Sequence, residues 1–350
     1  MVSISEVELA AMHRALVLAE TARGRTSPNP AVGAVILGID QRLVGEGATQ
    51  PPGGPHAEIV ALRAAGVHAR GGTAVVTLEP CAHTGRTAPC ADALIEAGIS
   101  RVIYALDDPN AVAAGGGARL RVAGVDVVAG VEAETAAAGA LRPWLHALTH
   151  SRPFVTWKLA STLDGRVAAA DGSSRWITSP AARADVHRIR SAVDAVLVGS
   201  GTVLADDPQL TVRDADGQLA DHQPLRVVID RRHRVPEQAR VFDDTAQTVV
   251  LDTAVPRFAL KALFDRGVRH VLLEGGPTLA GAFIEARCVD EVVAYLAPKL
   301  LGAGAAALGY AGVDSIGDAV TLEVMDVVRI GSDVKVTARP VWVEPAIGEK

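Results

Sequence analysis

The chain has 350 residues, of which 49% are hydrophobic and 21% are charged, and its formal net charge is −6. This composition excludes a disordered, collagen-like or coiled-coil protein, and the length corresponds to about two domains. The 34 basic residues are interspersed among 40 acidic ones, a distribution that disfavours non-specific binding to nucleic acid or to an anionic membrane.

Neither a membrane span nor a signal peptide is expected. Apolar runs such as 31–37 and 193–198 fall well short of the ~18 residues that indicate a spanning helix. The first twenty residues carry charges at helical spacing, which the apolar core of a signal peptide excludes. We therefore expect a cytoplasmic protein. In that reducing compartment, cysteines as close together as Cys81 and Cys90 favour metal binding or catalysis over a disulfide.

The first half of the chain alternates helices and strands. Ser5 and Glu8 form a capping box, which predicts a helix that runs to Gly24. The next predicted elements are a strand at 32–37, a helix at 56–65, a strand at 74–78, a helix at 89–97, a strand at 101–106, and helical segments near 119 and at 132–148. Nearly all-apolar strands in such an alternation predict an α/β sheet covered by helices on both faces.

A second alternation follows a boundary at about residue 150, where Pro143 and Pro153 flank a helix tail and a polar turn. Strands are predicted at 154–160, 195–199, 225–229, 249–251, 268–273 and 291–296, and helices at 180–191, 256–265 and 277–286. The segments 320–330 and 334–338 predict a closing antiparallel pair, and 205–223 a surface loop.

One group of residues in the first half predicts a catalytic zinc site. His56 and Glu58 are separated by one residue, Cys81 follows Pro80, and Cys90 follows Pro89. One imidazole and two thiolates leave a coordination position of Zn²⁺ open for water, which the metal activates. Glu58 is then the proton shuttle between the water and the departing amine, as in the H-x-E and P-C-x-x-C signature of zinc deaminases.

The spacing of the cysteines departs from that signature, since eight residues separate Cys81 from Cys90 instead of two. Alone, a His-x-Glu pair is typical of a surface helix start, and two cysteines can be buried thiols. His56 and Cys90 each open a predicted helix, however, and the positive end of a helix favours thiolate and hydroxide.

The residues between the cysteines, and a turn before the first strand, are candidates for substrate contacts. His83 and Arg86 lie in the insert, where an arginine matches a phosphate and a histidine can hold a polar ring. The alternatives for His83 are a fourth metal ligand or a solvated loop residue. Asn29 lies at the apex of a Pro-Asn-Pro turn, where its amide can read a base edge.

Two glycine-rich turns follow strands in the second half, at 198–202 and 274–281. A helix start after such a turn can bind a phosphate through free backbone N–H groups. Neither turn matches the G-x-G-x-x-G pattern of a Rossmann site, and tight packing of a strand against a helix explains such glycines equally well.

In these motifs and in others along its length, the chain resembles the bifunctional deaminase/reductases of riboflavin biosynthesis. The matching segments occur in one order along nearly the whole chain: 28–33, 56–58, 77–87, 164–166, 176–178, 201–208 and 274–278. The long interval between the cysteines is a property of this family. The resemblance implies a zinc-dependent pyrimidine deaminase domain of the cytidine-deaminase fold at 1–148, and an NADPH-dependent reductase domain of the dihydrofolate-reductase type at 149–345.

For the first domain, the resemblance implies deamination of a diamino-hydroxy-phosphoribosylamino-pyrimidine with release of ammonia. His56, Cys81 and Cys90 match the zinc ligands and Glu58 the proton shuttle. Asn29, His83 and Arg86 match the contacts to pyrimidine and phosphate. Thr49 is a mismatch, because members of the family often have a histidine seven residues before the zinc histidine.

For the second domain, the resemblance implies reduction of the ribose to ribityl with NADPH. Residues that match NADPH contacts are Ala160, Trp176, Thr202, Asp206, Gly276, Pro277, Thr278, Leu279, Ala280, Gly281 and Ala282. Residues that match contacts to the sugar phosphate are Ser174, Arg190, Leu210, Arg213 and Glu274.

Two further residues of this domain, Lys158 and Arg231, are assigned roles from their own chemistry, and the setting of Trp176 is assessed in the same way. Lys158 is the candidate proton donor at the opening ribose ring, or else a buried lysine paired with Glu274. Arg231 follows Asp230 where the family tends to have serine, and we expect it to bind the extra phosphate of NADPH. Trp176 lies among polar neighbours, which favours a cleft wall over a core position.

Two other classes of function compete with this interpretation. A monofunctional nucleoside or nucleic-acid deaminase with an inactive reductase-like domain is disfavoured, because basic stripes and stacking aromatics are missing near the zinc motif. A non-catalytic binding protein does not explain why Glu58 accompanies three residues that leave a metal position open. We expect a small-molecule substrate, no nucleic-acid or membrane partner, and a homo-oligomer.

Overall fold

The chain divides into two compact units, residues 1–151 and 152–350. A computed structural model describes residues 4–83, 88–214 and 216–342. Each unit has its own sheet and its own apolar core.

The first unit is a five-stranded sheet with helices. Its strands are β1 (Gly33–Leu37), β2 (Leu43–Ala48), β3 (Thr73–Leu78), β4 (Arg101–Leu106) and β5 (Asp126–Ala129). Its helices are α1 (Glu6–Ala22), α2 (Ala57–Ala65), α3 (Cys90–Glu96), α4 (Gly116–Val122), α5 (Ala133–Ala138) and α6 (Arg142–His150). The sheet order is β2-β1-β3-β4-β5, with β1 antiparallel to β2 and β3, and with β3, β4 and β5 parallel.

A capping box starts α1, and a glycine contact brings α2 close to the sheet. The Ser5 hydroxyl accepts a hydrogen bond from the backbone N–H of Glu8, whose carboxylate accepts one from the Ser5 N–H, so the predicted capping box is confirmed. On β2, a Cβ at Gly45 would lie 2.3 Å from the carbonyl oxygen of Ala61 in α2. Glycine therefore lets α2 lie directly on the sheet, and the start of α2 carries His56 and Glu58.

The second unit is an eight-stranded sheet. Its strands are β6 (Phe154–Thr162), β7 (Ala195–Gly199), β8 (Leu225–Ile229), β9 (Thr248–Leu251), β10 (His270–Gly275), β11 (Glu291–Ala297), β12 (Thr321–Ile330) and β13 (Asp333–Val341). Its helices are α7 (Pro180–Ser191), α8 (Ser200–Asp206), α9 (Pro256–Asp265) and α10 (Pro277–Glu285). The sheet order is β12-β13-β11-β6-β10-β7-β8-β9.

Strand direction in this sheet brings distant residues to one edge. The strands from β11 to β9 in that order are parallel, whereas β13 is antiparallel to β11 and β12. Because the carboxyl ends of parallel strands lie at the same edge, the turns after β7, β8 and β10 meet there. Ligands of open α/β sheets bind at such an edge.

The structure differs from the sequence predictions in a few elements. The strands β2 and β5 and the helix α8 were not predicted, and the segment 132–148 forms two helices, α5 and α6, instead of one. The segment 205–223 is not entirely a surface loop, because Leu210 and Val212 are buried. In β2, two glycines and a glutamate suggest a loop in isolation. Pairing with β1 and packing against α2 make the segment a strand.

Candidate active sites

Three residues from separate elements of the first unit converge as the sequence predicted. His56 is the N-cap of α2, Cys90 is the first residue of α3, and Cys81 lies three residues after the end of β3. Their ligand atoms all lie within 4.8 Å of one another, and both thiols are buried. In the part of the chain that the structure describes, this is the one group of three such side chains with that geometry.

The distances between these atoms fit a tetrahedral zinc ion. The Nδ1 atom of His56 lies 3.7 Å from the Sγ of Cys81 and 3.3 Å from the Sγ of Cys90. Zinc bonds of about 2.3 Å to sulfur and about 2.0 Å to nitrogen at a tetrahedral angle place the two ligand atoms about 3.5 Å apart. The donor set therefore fits zinc, and it comprises three protein ligands, as in catalytic zinc sites.

Glu58 is the second residue of α2, two positions after His56, and it is almost completely buried. Burial raises the pKa of its carboxyl group, while the charge of His56 acts in the opposite direction. A carboxyl group with a raised pKa, beside a metal site and shielded from bulk water, suits the transfer of a proton to and from a reacting group.

The Sγ of Cys81 accepts a hydrogen bond from the backbone N–H of Cys90 at 3.4 Å, and the two thiols also shift each other's pKa. Donation from the Cys90 thiol lowers the pKa of Cys81 to about 4, and the contact with His56 contributes to that shift. The same hydrogen bond raises the pKa of Cys90. Cys81 is thus the readier thiolate, and a bound cation deprotonates a coordinating thiol outright.

Buried contacts outside the metal group hold the segment that carries Cys81. The carboxylate of Glu79 accepts hydrogen bonds from the backbone N–H groups of Gly117 at 2.8 Å and Asp108 at 3.1 Å. A Cβ at Gly116 would lie 1.6 Å from the carbonyl oxygen of Pro80, so only glycine permits this approach. Sequence reasoning did not single out Glu79 or Gly116, although the run of three glycines at 115–117 is a visible signal.

The candidate substrate contacts of this unit differ in how far the structure describes them. The Nδ1 atom of His83 is buried and has no hydrogen-bond partner among the described residues. The backbone of Asn29 is held in a turn by Thr26. Arg86 lies outside the described residues. Thr49 is buried, and its hydroxyl accepts a hydrogen bond from the backbone N–H of Val32.

The second unit contains a buried ion pair among the predicted substrate residues. Arg190 on α7 donates two hydrogen bonds to the carboxylate of Glu274 at the end of β10, at 2.5 and 2.8 Å, and a third to the carbonyl of Thr211. Burial acts to raise the pKa of Glu274, but the charge and hydrogen bonds of Arg190, together with the charges of Lys158 and His187, outweigh it, and the net shift of the pKa is downward. Arg190 thus contacts Glu274 directly.

Lys158 on β6 lies close to this ion pair without joining it. Its ammonium group makes no hydrogen bond or ion pair with any residue that the structure describes, so the alternative of a direct pair with Glu274 is not seen. Burial lowers the pKa of Lys158, while the charge of Glu274 partly offsets that effect. A lysine with a lowered pKa and an uncommitted ammonium group suits proton donation.

Of the remaining predicted sugar-phosphate residues, Arg213 contacts the same helix. The backbone N–H of Arg213 donates to Nδ1 of His187 on α7, and its guanidinium donates to Gln209 and to the carbonyl of Gly217. Burial and the neighbouring charge of Arg190 lower the pKa of His187, a residue that sequence reasoning missed. Leu210 is buried, and the hydroxyl of Ser174 donates to Asp206 at 3.5 Å.

The two glycine-rich turns of the second unit lie next to each other. A Cβ at Gly276 would lie 3.3 Å from the hydroxyl oxygen of Thr202. Gly276 is the N-cap of α10 and offers no side chain to the first helical turn, so backbone N–H groups there are free for a phosphate. The predicted residues from Gly276 to Ala282 form this helix start, and the donor groups fit a dinucleotide.

Trp176 is on the surface, with 62% of its area exposed, which excludes a core position. The guanidinium of Arg183 lies 4.4 Å from the centre of its ring. Arg175, the residue before Trp176, donates a hydrogen bond to the backbone carbonyl of Asp206. Ala160 lies on β6 opposite Tyr295 of β11.

The turn after β8 carries three exposed arginines beside the glycine-rich turns. The carboxylate of Asp230 accepts from the backbone N–H of Val235 at 2.8 Å and shapes the turn. Arg234 donates to the hydroxyl of Ser200 at 2.9 Å, a contact that sequence reasoning missed. The side chain of Arg231 has no hydrogen-bond partner among the described residues and is exposed.

Comparison with known protein families matches both units. A family model described as the cytidine and deoxycytidylate deaminase zinc-binding region matches residues 5–106. One described as the RibD C-terminal domain matches residues 153–336. None of the helices in the described ranges is long and apolar enough to cross a membrane.

Relatives are similar over most of this chain. The riboflavin biosynthesis protein RibD of Mycobacterium tuberculosis is 54% identical over 311 residues, which cover 89% of this chain and 91% of that protein. The RibD of Escherichia coli is 42% identical over 359 residues, with coverage of 92% and 96%.

Solved structures are similar to this chain across both units. Acinetobacter baumannii RibD (form 1) has a TM-score of 0.88 at 38% identity, and the match covers 96% of this chain and 99% of that one. A diaminohydroxyphosphoribosylaminopyrimidine deaminase/5-amino-6-(5-phosphoribosylamino)uracil reductase from Thermotoga maritima has the same TM-score and coverage at 36% identity. The predicted α/β fold, deaminase-like and then reductase-like, is confirmed.

Proposed function

The chain belongs to the family of bifunctional deaminase/reductases of riboflavin biosynthesis, and from that premise we propose which of its residues perform the two reactions. The enzyme removes an amino group from a diaminohydroxyphosphoribosylaminopyrimidine and then reduces the ribose of the product to ribityl. It uses Zn²⁺ and NADPH. The observation that carries the residue assignment is the convergence of His56, Cys81 and Cys90 beside the buried Glu58.

We assign the deaminase to residues 1–148 and the reductase to residues 149–345. In the deaminase, His56, Cys81 and Cys90 hold the metal. Zinc, when bound, activates water for attack on the ring carbon that bears the amino group. Glu58 accepts the proton of the attacking water and delivers it to the amino nitrogen, which leaves as ammonia. The burial of Glu58 supports this role because it excludes bulk water from the transfer.

Asn29, His83 and Arg86 bind the pyrimidine and the phosphate in this proposal. The unpartnered, buried Nδ1 atom of His83 supports it, because a buried polar atom needs a hydrogen-bond partner and a substrate can supply one. Arg86 contributes a guanidinium, which matches phosphate oxygens in a bidentate manner.

In the reductase, Lys158 gives a proton to the ribose oxygen as the ring opens. NADPH, when bound, would supply the hydride for the reduction. Glu274 accepts hydrogen bonds from the ribose hydroxyls and stabilises the protonated form of Lys158. Ser174, Arg190, Leu210 and Arg213 form the sugar-phosphate site. The guanidinium of Arg190 is held in place by its contacts with Glu274 and Thr211. The substrate phosphate binds to this same guanidinium.

The turns after β7, β8 and β10 would hold NADPH. Contacts come from Ala160, Trp176, Thr202, Asp206 and the helix start 276–282. Arg231 binds the phosphate that distinguishes NADPH from NADH. Its exposed and uncommitted guanidinium supports this assignment.

The remaining proposals concern location and assembly. The enzyme acts in the cytoplasm as a homo-oligomer and binds no nucleic acid. The net charge of −6 supports the last point, since binding to nucleic acid requires a basic surface.

The experiment that tests the proposal is a pair of assays on the purified, zinc-loaded enzyme. With the pyrimidine substrate alone, we expect release of ammonia and no ribityl product. Addition of NADPH should then produce the ribityl compound, and NADH should support a lower rate of its formation. Ribityl product without ammonia release, or no ammonia release from zinc-loaded enzyme, contradicts the assignment of the first unit.

A further inference from the structure

Arg213, which we assign to the sugar-phosphate site, is held at both ends by other residues. Its backbone N–H donates a hydrogen bond to Nδ1 of His187 on α7 at 3.2 Å. At the other end, its guanidinium donates to the side-chain carbonyl of Gln209 at 2.7 Å and to the backbone carbonyl of Gly217 at 2.8 Å. An arginine side chain that is fixed in this way loses little further freedom when it binds a ligand.

These contacts leave hydrogen-bond donors of Arg213 for a ligand. A guanidinium has five N–H groups, and two of them are used in the contacts just described. The rest have no partner among the residues that the structure describes. Burial lowers the pKa of His187, and the charges of Arg190 and Arg213 lower it further, so both guanidinium groups lie close to this imidazole. Free donors of Arg213 therefore lie near the buried ion pair of the proposed site.

The amide of Gln209 is itself oriented by a carboxylate. Its Nε2 donates to Asp243 at 2.8 Å, while its Oε1 accepts from Arg213. Burial acts to raise the pKa of Asp243, but hydrogen bonds, chiefly from Thr245 and Arg226, hold that pKa well below its usual range. An ionised carboxylate accepts hydrogen bonds and donates none. The amide nitrogen must therefore face Asp243, which leaves the amide oxygen for Arg213.

A buried arginine holds the far end of this series of hydrogen bonds. Arg226 on β8 is completely buried. Its guanidinium donates to the carboxylate of Asp243 at 2.8 Å and to the backbone carbonyl of Gln209 at 3.3 Å, and it also contacts the carbonyl of Ala246. A buried charge is costly without its partners. The backbone and the side chain of Gln209 are both held for this reason.

We propose that Gln209 is a positioning residue of the reductase: held by Asp243, it orients the guanidinium of Arg213 toward the phosphate of the substrate. The inference rests on the proposed sugar-phosphate site and names the residue that orients one of its arginines. Gln209 itself does not touch the substrate. Because the phosphate takes no part in the reduction, this orientation strengthens substrate binding and leaves the chemical step unchanged.

The test is the steady-state kinetics of reduction by the full-length, zinc-loaded enzyme with saturating NADPH. The two substrates are the deaminated compound and the same compound without its phosphate. In Gln209→Met, a side chain of similar length replaces the amide and makes none of its hydrogen bonds. We expect the KM for the phosphorylated substrate to rise about tenfold, with kcat changed by less than about twofold. The value of kcat/KM for the dephosphorylated compound should stay unchanged. Gln238→Met, at an exposed glutamine outside this network, is the matched control and should behave as the native chain.

A double-mutant cycle tests whether Gln209 acts through Arg213. We expect Arg213→Ala to raise the KM for the phosphorylated substrate by about 10²-fold, because it removes a charged contact to the phosphate. The addition of Q209M to R213A should raise the KM no further, since the group that Gln209 orients is then absent.

The outcomes separate this inference from the proposed function. A native KM in R213A contradicts the assignment of Arg213 to the phosphate, and the present inference with it. A raised KM in R213A together with a native KM in Q209M overturns the role of Gln209 alone. Equal losses on both compounds, or additive effects in the double variant, show that Gln209 only supports the fold and overturn its positioning role. NADPH binding, measured on each variant, verifies that the second unit remains folded. If Q209M does not fold, Gln209→Asn, which is too short to contact both partners, takes its place with the same expected results.

Discussion

The two candidate sites of this chain are constructed differently. In the first unit, three ligand atoms lie within 4.8 Å of one another on the starts of two helices and on one loop. In the second, the predicted substrate residues contact each other, since Arg190 is bound to Glu274 and Thr211. The first site depends on a few atoms in fixed positions. The second is a network of charges in which each group sets the protonation or orientation of its neighbours.

The largest effect should come from Glu58, because in the proposed mechanism it moves the proton itself. We expect Glu58→Gln to retain zinc and to lower the rate of ammonia release by about 10²- to 10⁴-fold. Reduction of a previously deaminated substrate should continue at the native rate. Metal analysis and separate assays of the two reactions measure this. The matched control is Glu96→Gln, an exposed position on α3, and full deaminase activity in E58Q would remove Glu58 from the mechanism.

The charge network predicts a change in pH dependence. Burial lowers the pKa of Lys158, and the charge of Glu274 raises it. Glu274→Gln removes the raising effect, so the pKa of Lys158 falls further. A proton donor must be protonated, and the basic limb of the reduction rate should therefore move to lower pH, with a loss of about 10²-fold at alkaline pH.

The pH profile of deamination is the internal comparison for this variant and should not move. Glu285→Gln, an exposed position on α10, is the matched control. An unmoved basic limb in E274Q, with reduction still measurable, means that Lys158 is not the group that titrates.

The fixed geometry of the first site can be disturbed from outside the metal group. A side chain at Gly116 would overlap the carbonyl of Pro80, so Gly116→Ala should displace the segment that carries Cys81. We expect zinc affinity to fall by about 10- to 10²-fold, the usual size of effects outside the ligand shell. Competition with a chromophoric chelator measures it. Ala118→Ser, on the exposed side of the same helix, should bind zinc normally; equal affinity in G116A and A118S contradicts the argument.

The smallest effect concerns the choice of cofactor. Arg231→Ala should weaken NADPH binding by about tenfold and leave NADH binding unchanged, because the loss is confined to one phosphate contact. Nicotinamide fluorescence titration measures both constants without turnover. Arg232→Ala is the neighbouring comparison. If R231A keeps the native preference for NADPH, the assignment is wrong, and Arg234, which contacts Ser200, becomes the next candidate.

How much could be predicted differs between the two sites. For the first, residue type and position indicated the metal group although the spacing of the cysteines departs from the deaminase signature, because zinc accepts few donor types and His56 and Cys90 open helices that the pattern predicts. For the second, the glycine turns alone did not distinguish a cofactor site from tight packing, and family resemblance carried the assignment. The contacts of Arg190 with Glu274 and of Arg234 with Ser200 join residues 84 and 34 positions apart, and no local pattern indicates them.

The sequence by itself determined the α/β class, the capped first helix, most of the strands and the metal-binding residue types. These depend on local periodicity, on capping and on donor chemistry, which are properties of short segments. Only the tertiary structure decided that β2 is a strand and that Glu79 and Gly116 hold the loop of Cys81. Each of these depends on which distant backbone lies alongside, and that is a property of packing.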